Sequence, residues 1–357
     1  MKKKKVLVDL SILKNIYCGL GQVALNYGNY FKEHYGSDEE YELYLLVPKY
    51  MVGAFNNNVK YIVVRKIYKF LPFFLRRFDV WHAIHQSSRF RPWSKKTRYI
   101  LSIHDFNFMY EKKGKKVNKY LRKIQRKINR ADKIVCISHF AKEETEKYAR
   151  LNGKEIEVIY NGVEQLNVSI EKRPLFVKDD RPFFFTIGEI KKKKNFHVLL
   201  PLMKLFPEKE LYIAGRKNTD YADFIERTIQ EENLRNVHLV GVIANEERVW
   251  LYSHCEAFLF PSLFEGFGLP IIEAMSFGKP VFSSPKTSLK EIGGKVAFFW
   301  DNFQPEEMKK RIDNHLESFN SSEDCKQKAR DYARSFSYDK HMEYYHKIYL
   351  EQLNKSN

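Results

Sequence analysis

The sequence predicts an α/β chain of two Rossmann-like domains, each a doubly wound parallel sheet, with an interdomain cleft. Three observations carry this expectation. Short apolar runs rich in β-branched and aromatic residues recur along the chain, too continuous for strands with one wet face. Charged or helical segments separate them, which is the rhythm of βαβ units. The rhythm breaks at NGVEQLNVSIEKRPLFVKDDRP (161–182), where turn residues and charge accumulate. A length of 357 residues accommodates two domains of ordinary size.

In order, the expected strands of the first half are VLVDL (6–10), LYLLV (43–47), YIVV (61–64), VWHAI (80–84), YILSI (99–103), IVCIS (134–138) and IEVIY (156–160). Those of the second half are FFFTIG (183–188), LYIAG (211–215), VHLVG (237–241), AFLFP (257–261), PVFSS (280–284) and VAFFW (296–300). The final stretch, SYDKHMEYYHKIYLEQL (337–353), reads as a helix, with Met342, Tyr345, Ile348 and Tyr349 at helical spacing. The expected division is 1–163 for an N-terminal Rossmann-like domain and 164–336 for a C-terminal Rossmann-like domain. The helix 337–357 is expected to pack back toward the N-terminal domain.

The chain carries 62 Lys and Arg against 44 Asp and Glu, a formal charge of +18. So large an excess calls for an acidic partner: nucleotide phosphates, nucleic acid or an anionic membrane face. No RNP-like run, zinc finger or helix-turn-helix signature supports nucleic acid, which is not expected as a partner. The four cysteines (Cys18, Cys136, Cys255, Cys325) form no CxxC pair and read as free thiols in a reducing compartment. In MKKKKVLVDLSIL, Asp9 interrupts the apolar run, so a buried first strand is expected rather than a secretory signal. No run approaches the ~18 apolar residues of a membrane span. The expected location is cytoplasmic, peripheral at the inner face of the cell membrane.

Chemistry concentrates in LFEGFGLPIIEAMSFGKP (263–280), which follows the AFLFP strand. Pro270 suits the first turn of a short helix, where its missing N–H would be unpaired anyway, and Gly278 suits its C′ position. The first turn of such a helix offers backbone N–H groups and a positive dipole end, which together attract phosphate. Gly266 and Gly268 let a ligand approach the backbone. A nucleotide sugar laid across the loop meets Glu265 at its sugar and Glu273 at its ribose, since carboxylates accept strongly from hydroxyls. Either glutamate alone is ordinary helix-start chemistry; the whole run is not. A second run, FFFTIGEIKKKKNFHVLL (183–200), places four lysines after a strand end, where they can neutralise a diphosphate.

EGFGLPIIEAMSFGKPV resembles the signature of the retaining glycosyltransferases of GT-B fold in glycosyltransferase family 4, also described as glycosyl transferases group 1. That signature is E-x7-E followed by A-M-x-x-G-x-P-V. The resemblance covers most of the chain and is strongest over 183–300. It implies that Glu265 binds the donor sugar, Glu273 the ribose, and the Phe267–Gly268–Leu269 backbone the diphosphate. The 183–200 run resembles the family's G-x-x-x-x-[RK]-K-N segment, which makes Lys194 the phosphate-binding lysine, aided by Lys193. Many members carry arginine directly after the glycine, where this chain has Glu189.

In the first half, NIYCGLGQVALNYGNYF (15–31) sets Gly19 and Gly21 before a helical run. It resembles the family's G-x-G loop over the donor diphosphate; a tight β-to-α turn is the plain alternative. ILSIHDFNF (100–108) ends a strand at His104 and Asp105. A lone His is usually structural, and Asp105 suits a cap; the resemblance implies that His104 lies beside the reacting sugar. His82 and His85, in VWHAIHQSSRFRP (80–92), fall near another strand end and are candidates to line the acceptor side, with a core or surface role the commoner fate. The segment KKGKKVNKYLRKIQRKINRADK (112–133) reads as a basic helix with Leu121, Ile124 and Ile128 on one stripe. It and KFLPFFLRRF (69–78) suit an anionic membrane surface, or, for the helix, a stripe docked on the sheet with its charges solvated.

The expected function is a retaining glycosyltransferase that moves a hexose from a nucleotide-diphosphate sugar to a surface-glycan or lipid-linked acceptor. His104, Glu265 and Lys194 would be its catalytic residues. The K-N form of the lysine loop leans toward GDP-mannose. No cofactor or metal is expected, because no D-x-D pair is present and lysines with a helix dipole can hold a diphosphate. Two readings of other classes stand beside it: a sugar-nucleotide epimerase on the same architecture, and a non-catalytic basic membrane-binding module, which Glu189 favours.

Overall fold

The computed structural model describes residues 3–16, 18–36, 40–55, 57–75, 77–163, 166 and 168–355. They form two units. The first runs to Gly162 and includes the C-terminal helix Tyr338–Asn354; the second is Val163–Ser337.

Seven strands build the sheet of the first unit: β1 (Lys4–Asp9), β2 (Tyr41–Val47), β3 (Lys60–Val63), β4 (Val80–Ala83), β5 (Arg98–Ile103), β6 (Lys133–Cys136) and β7 (Ile156–Val158). Their spatial order is β3-β2-β1-β4-β5-β6-β7, and every pairing is parallel. The winding therefore reverses between β1 and β4, where Val6 faces Val80 and Asp9 faces Ala83. Helices cover a parallel sheet on both faces, which is why the strand interiors are apolar without alternation: Val6, Leu7, Val8, Leu45, Leu46 and Leu101 are all fully buried.

The helix Tyr338–Asn354 closes this unit through a buried polar lattice. His82, inside β4, holds the Tyr349 hydroxyl with Nδ1 (2.7 Å) and Ser102 Oγ with Nε2 (2.8 Å). Ser102 Oγ also meets the Tyr345 hydroxyl at 2.7 Å. His341 Nδ1 donates to the Tyr160 carbonyl (2.7 Å), and its Nε2 accepts from the Tyr27 hydroxyl (3.0 Å). His82 is thus a core residue under two tyrosines and does not line an acceptor site. Its companion His85 is also buried, its Nδ1 accepting from the Ser87 N–H at 3.2 Å. The helix Lys115–Arg130 buries Ile124 and Ile128 within the unit, while Leu121 is half-buried and Tyr120 is exposed among the charges.

Six strands build the second sheet: β8 (Phe183–Ile187), β9 (Glu210–Ala214), β10 (Val237–Gly241), β11 (Ala257–Phe260), β12 (Val281–Ser283) and β13 (Phe298–Phe299). Their order, β10-β9-β8-β11-β12-β13, repeats the first winding, again wholly parallel. Here the reversal falls between β8 and β11, with Phe185 facing Phe258. Phe184, Phe196, Leu199, Met203, Ile213, Phe282 and Trp300 form part of its core.

Burial pulls His82, His85, His104 and His341 of the first unit below the ordinary histidine range, the last two to about 4. The unfolded chain takes up protons that the folded rings refuse. Their contribution is therefore whole above the unfolded pKa of ~6.5 and is lost as pH falls, at up to about 1.4 kcal/mol per pH unit for each ring. Burial raises the Asp9 and Glu144 carboxyls, which act in the opposite sense but are two groups against four. The melting temperature should fall steadily between pH 7 and pH 5. A flat profile would mean that these rings are charged in the folded state.

Candidate active site

In open parallel sheets, ligands bind beyond the carboxyl ends of the strands where the winding reverses, because the flanking loops diverge there. In the second unit those loops follow β8 and β11, and they carry Lys194 and Glu265. The first runs from Gly188 through a 3-10 turn, Lys192–Lys194, to Asn195, whose φ of 59° is one that asparagine tolerates better than most residues. Lys194 Nζ lies 2.5 Å from Glu265 Oε1 and 5.0 Å from the centre of the Phe260 ring. Both charged side chains are largely withdrawn from water, 12% and 15% exposed. Gly188 makes this approach feasible: a Cβ there would stand 3.1 Å from Lys194 Cε and 3.3 Å from its Nζ. The main chain joins the same loops, since Leu263 N–H donates to the Lys193 carbonyl at 2.8 Å.

A third loop, after β12, braces the glycine run. Glu265 N–H donates to Thr287 Oγ1 (3.0 Å), and the buried Ser288 Oγ lies 2.9 Å from the carbonyls of both Glu265 and Phe267. Gly268 caps the helix Leu269–Ser276 at φ 113°, and a Cβ there would meet Leu289 Cδ2 at 2.7 Å. Only glycine satisfies both the dihedral and the contact. Pro270 occupies the first turn, and Gly278 leaves the helix with φ 67°. Phe267 is buried and packs edge-on to Phe336. The Phe267–Gly268–Leu269 backbone thus opens the helix; Pro270 has no N–H and Ile271 N–H donates to the Gly268 carbonyl at 3.0 Å, so the amides before Pro270 are those a ligand can meet.

Glu273 is one turn further along. Its Oε2 accepts from the buried Tyr252 hydroxyl at 2.8 Å, and Arg248 Nη1 stands 3.6 Å from Oε1. Burial and the neighbouring carboxylate hold the Tyr252 phenol well above its usual range, so it stays a donor. Arg248 and Tyr252 share the helix Asn245–His254, four residues apart and therefore on one face. The sequence reading overlooked both, along with Thr287 and Ser288; their only trace is that four-residue spacing. Glu189 turns aside to Lys191 Nζ at 2.9 Å, both half exposed.

The remaining candidates belong to the first unit. Gly19 opens the helix Gly19–His34, and nothing lies within 4 Å of where its Cβ would be. Gly21 is different: a Cβ there would stand 2.1 Å from the Asn15 carbonyl oxygen, so its own turn requires it. His104 follows β5 and is buried. Its Nε2 donates to the Ile84 carbonyl (2.8 Å), and burial drops its pKa to about 4, so the ring is neutral with Nδ1 as acceptor. Gln86 clamps its backbone, accepting from His104 N–H (3.0 Å) and donating to the Asp105 carbonyl (2.7 Å). Asp105 itself takes the Asn107 N–H at 3.0 Å, as a turn cap does. Where this sheet reverses, the buried Asp9 carboxylate accepts from Ser88 Oγ, and Lys127 Nζ donates to the carbonyls of Gln86 (2.7 Å) and Ser88 (2.5 Å). Burial lowers that ammonium to about 8. The crevice end of the first sheet is thereby filled with its own polar side chains.

Residues 167–332 match the family model described as glycosyl transferases group 1, and residues 29–165 match that of glycosyltransferase family 4. The O-antigen chain mannosyltransferase RfbU of Salmonella typhimurium is 28% identical over 187 residues, 52% of this chain and 51% of that protein. O-antigen chain mannosyltransferase B of Escherichia coli is 34% identical over 122 residues, 32% of each. The chain thus spans about half the length of the first relative and about a third of the second. A sucrose-phosphate synthase from Thermosynechococcus elongatus superposes with a TM-score of 0.77 at 15% identity, covering 99% of this chain and all of that one, a likeness of fold. Two parallel-sheet units of the same winding and two adjoining matches from residue 29 to 332 lead to one assignment: the chain belongs to glycosyltransferase family 4, with the GT-B fold.

Proposed function

We propose that this protein is a retaining hexosyltransferase that moves mannose from GDP-mannose to a surface-glycan or lipid-linked acceptor. The observation that carries the reading is the arrangement in the second unit: Lys194 paired with Glu265 at the loop ends, a helix start at Gly268, and Glu273 one turn beyond. Two mannosyltransferases among the relatives and the Lys194–Asn195 form of the loop favour mannose.

Lys194 and Glu265 balance each other's charge in a nearly dry setting. A donor replaces this one bond with two sets of contacts: its diphosphate takes the ammonium, and its sugar hydroxyls take the carboxylate. Lys194 and the Gly268 and Leu269 N–H groups at the start of the helix then stabilise the charge that grows on the leaving diphosphate as the C1–O bond breaks. The acceptor oxygen bonds to C1 on the face the diphosphate leaves, and the acceptor's proton passes to the departing phosphate oxygen. Glu273 accepts from the ribose hydroxyls, held in place by Tyr252. In the first unit taken by itself, the neutral His104 ring can accept from a sugar hydroxyl through Nδ1, and Gly19 leaves its helix start open to a phosphate. Lys193 adds positive charge beside Lys194. A metal ion has no part in this scheme.

Removing Lys194 (Lys194→Ala) should lower kcat/KM by about 10²- to 10³-fold, as expected for loss of one donor to a developing oxyanion. Glu273→Ala should weaken donor binding roughly 10- to 100-fold in calorimetry, whereas Glu273→Gln, which still accepts from Tyr252, should keep the native melting temperature. If Glu273→Ala binds a panel of nucleotide sugars as the parent does, the ribose role is wrong. NMR of the first product formed should show the donor's anomeric configuration, and an inverted anomer would remove the retaining mechanism. Transfer should persist in excess EDTA; its abolition, with rescue by a divalent cation, would require a metal in the scheme.

A further inference from the structure

The link between β3 and β4 places large apolar side chains in water. Phe70 is 71% exposed, Phe73 and Phe74 are 57% exposed each, and Ile67 and Leu71 of the same link join them, with Trp93 exposed on the link from β4 to β5. Isolated exposed apolar residues are ordinary; a group of this size on one short connection is not. The segment is not loose: Leu75 and Phe78 are buried, Phe78 packing on Tyr44 and Trp81, so the core holds its end. The Phe73 and Phe74 rings stack at 4.9 Å, and Lys69 Nζ sits 4.9 Å from the centre of the Phe70 ring.

The surroundings are almost purely cationic. From Arg65 to His104 the sequence holds ten Lys and Arg and a single acid, Asp79, which is taken by the Lys5 N–H. Among the described residues, Arg65, Lys66, Lys69 and Arg77 are exposed and form no ion pair. Hydrogen bonds tie the basic stretches into one surface. Trp93 Nε1 donates to the Leu75 carbonyl (2.8 Å), which seats the 89–96 loop on the aromatic turn. Arg130, at the end of the basic helix, donates to the Ser94 (3.0 Å) and Thr97 (2.6 Å) carbonyls. The helix stretch 112–133 adds eleven Lys and Arg against one acid, Asp132.

We propose that this face of the first unit, centred on Phe70, Phe73 and Phe74, docks on an anionic lipid bilayer surface. The rings enter the headgroup boundary and the unpaired cations meet acidic headgroups. A second copy of the chain is a poor occupant, since a self-complementary contact would set the same cations against each other. A protein partner has little to grip, because the regular elements here, Ile67–Phe70 and Pro72–Phe74, are four and three residues long. Protruding rings flanked by free charge need no shape complementarity, which is what a bilayer surface offers. No helix among the described residues is long and apolar enough to cross a membrane, so the contact is peripheral as far as they reach. The inference is independent of the donor assignment.

The test is co-sedimentation of the full chain with vesicles of phosphatidylcholine alone and of phosphatidylcholine mixed with phosphatidylglycerol. The protein should pellet with the anionic vesicles only and be released as salt rises. The F70S/F73S/F74S variant, altered only at exposed rings, should bind at least roughly tenfold more weakly with an unchanged melting temperature. Should it fold poorly, K66E/K69E/R77E tests the same surface through its charge and should lose binding likewise. Failure of the parent to pellet with anionic vesicles, or equal pelleting by a folded variant, overturns the proposal. So does a parent dimer in sedimentation equilibrium that the ring variant dissolves, since the occupant is then a second copy.

Discussion

The candidate site depends on one constraint: β8 and β11 lie side by side and parallel, although 69 positions separate Lys193 from Ser262 on the loops that follow them. The connections leaving these two strands run in opposite directions across the sheet, so their loops part at the carboxyl ends. Gly188 and Gly215 keep that edge closely packed; a Cβ on Gly215 would meet the Gly188 carbonyl oxygen at 1.9 Å. With the backbones this near, Lys194 has little choice of direction. It lies over Phe260 and reaches Glu265.

Charge balance follows from this packing. An ammonium and a carboxylate that are both mostly removed from water are costly apart and tolerable together. The pair is therefore ready to exchange partners for a ligand that carries an anion at one end and hydroxyls at the other. The Glu273 end is built differently. Its carboxylate is oriented by a phenol and a guanidinium from a separate helix, so a second element fixes what the spacing along the chain alone would leave swinging.

The first unit repeats the winding and uses it differently. At its reversal point Ser88 joins Asp9 through its hydroxyl and Lys127 through its carbonyl, and His82 and His104 are buried and neutral. Polar groups there serve the fold: His82 and His341 bind the C-terminal helix, and Gln86 sets the backbone of His104. Its outward character lies in the aromatic turn and the basic stretches, where the second unit instead laces many surface charges into pairs such as Lys217–Glu226 and Lys309–Asp313.

Local rules sufficed where the determinant is local. Apolar runs marked every strand of both sheets, because a strand buried on two faces must be apolar throughout. Pro270 and Gly278 marked the ends of the site helix, because each answers to its own dihedral angles, and the eight-residue step from Glu265 to Glu273 was visible for the same reason. Contacts between distant residues were not legible. Nothing near Glu273 announces Tyr252, nothing near Glu265 announces Ser288, and the choice for His82 between the acceptor side and the commoner core role was made by Tyr345 and Tyr349, more than 260 residues later. The same holds for the aromatics. By composition Phe70, Phe73, Leu75 and Phe78 are alike, and the sequence alone determined only that a basic, aromatic stretch lies between two strands. Which rings fill the core and which meet solvent was decided by the tertiary fold, because burial depends on what the rest of the chain packs against each side chain.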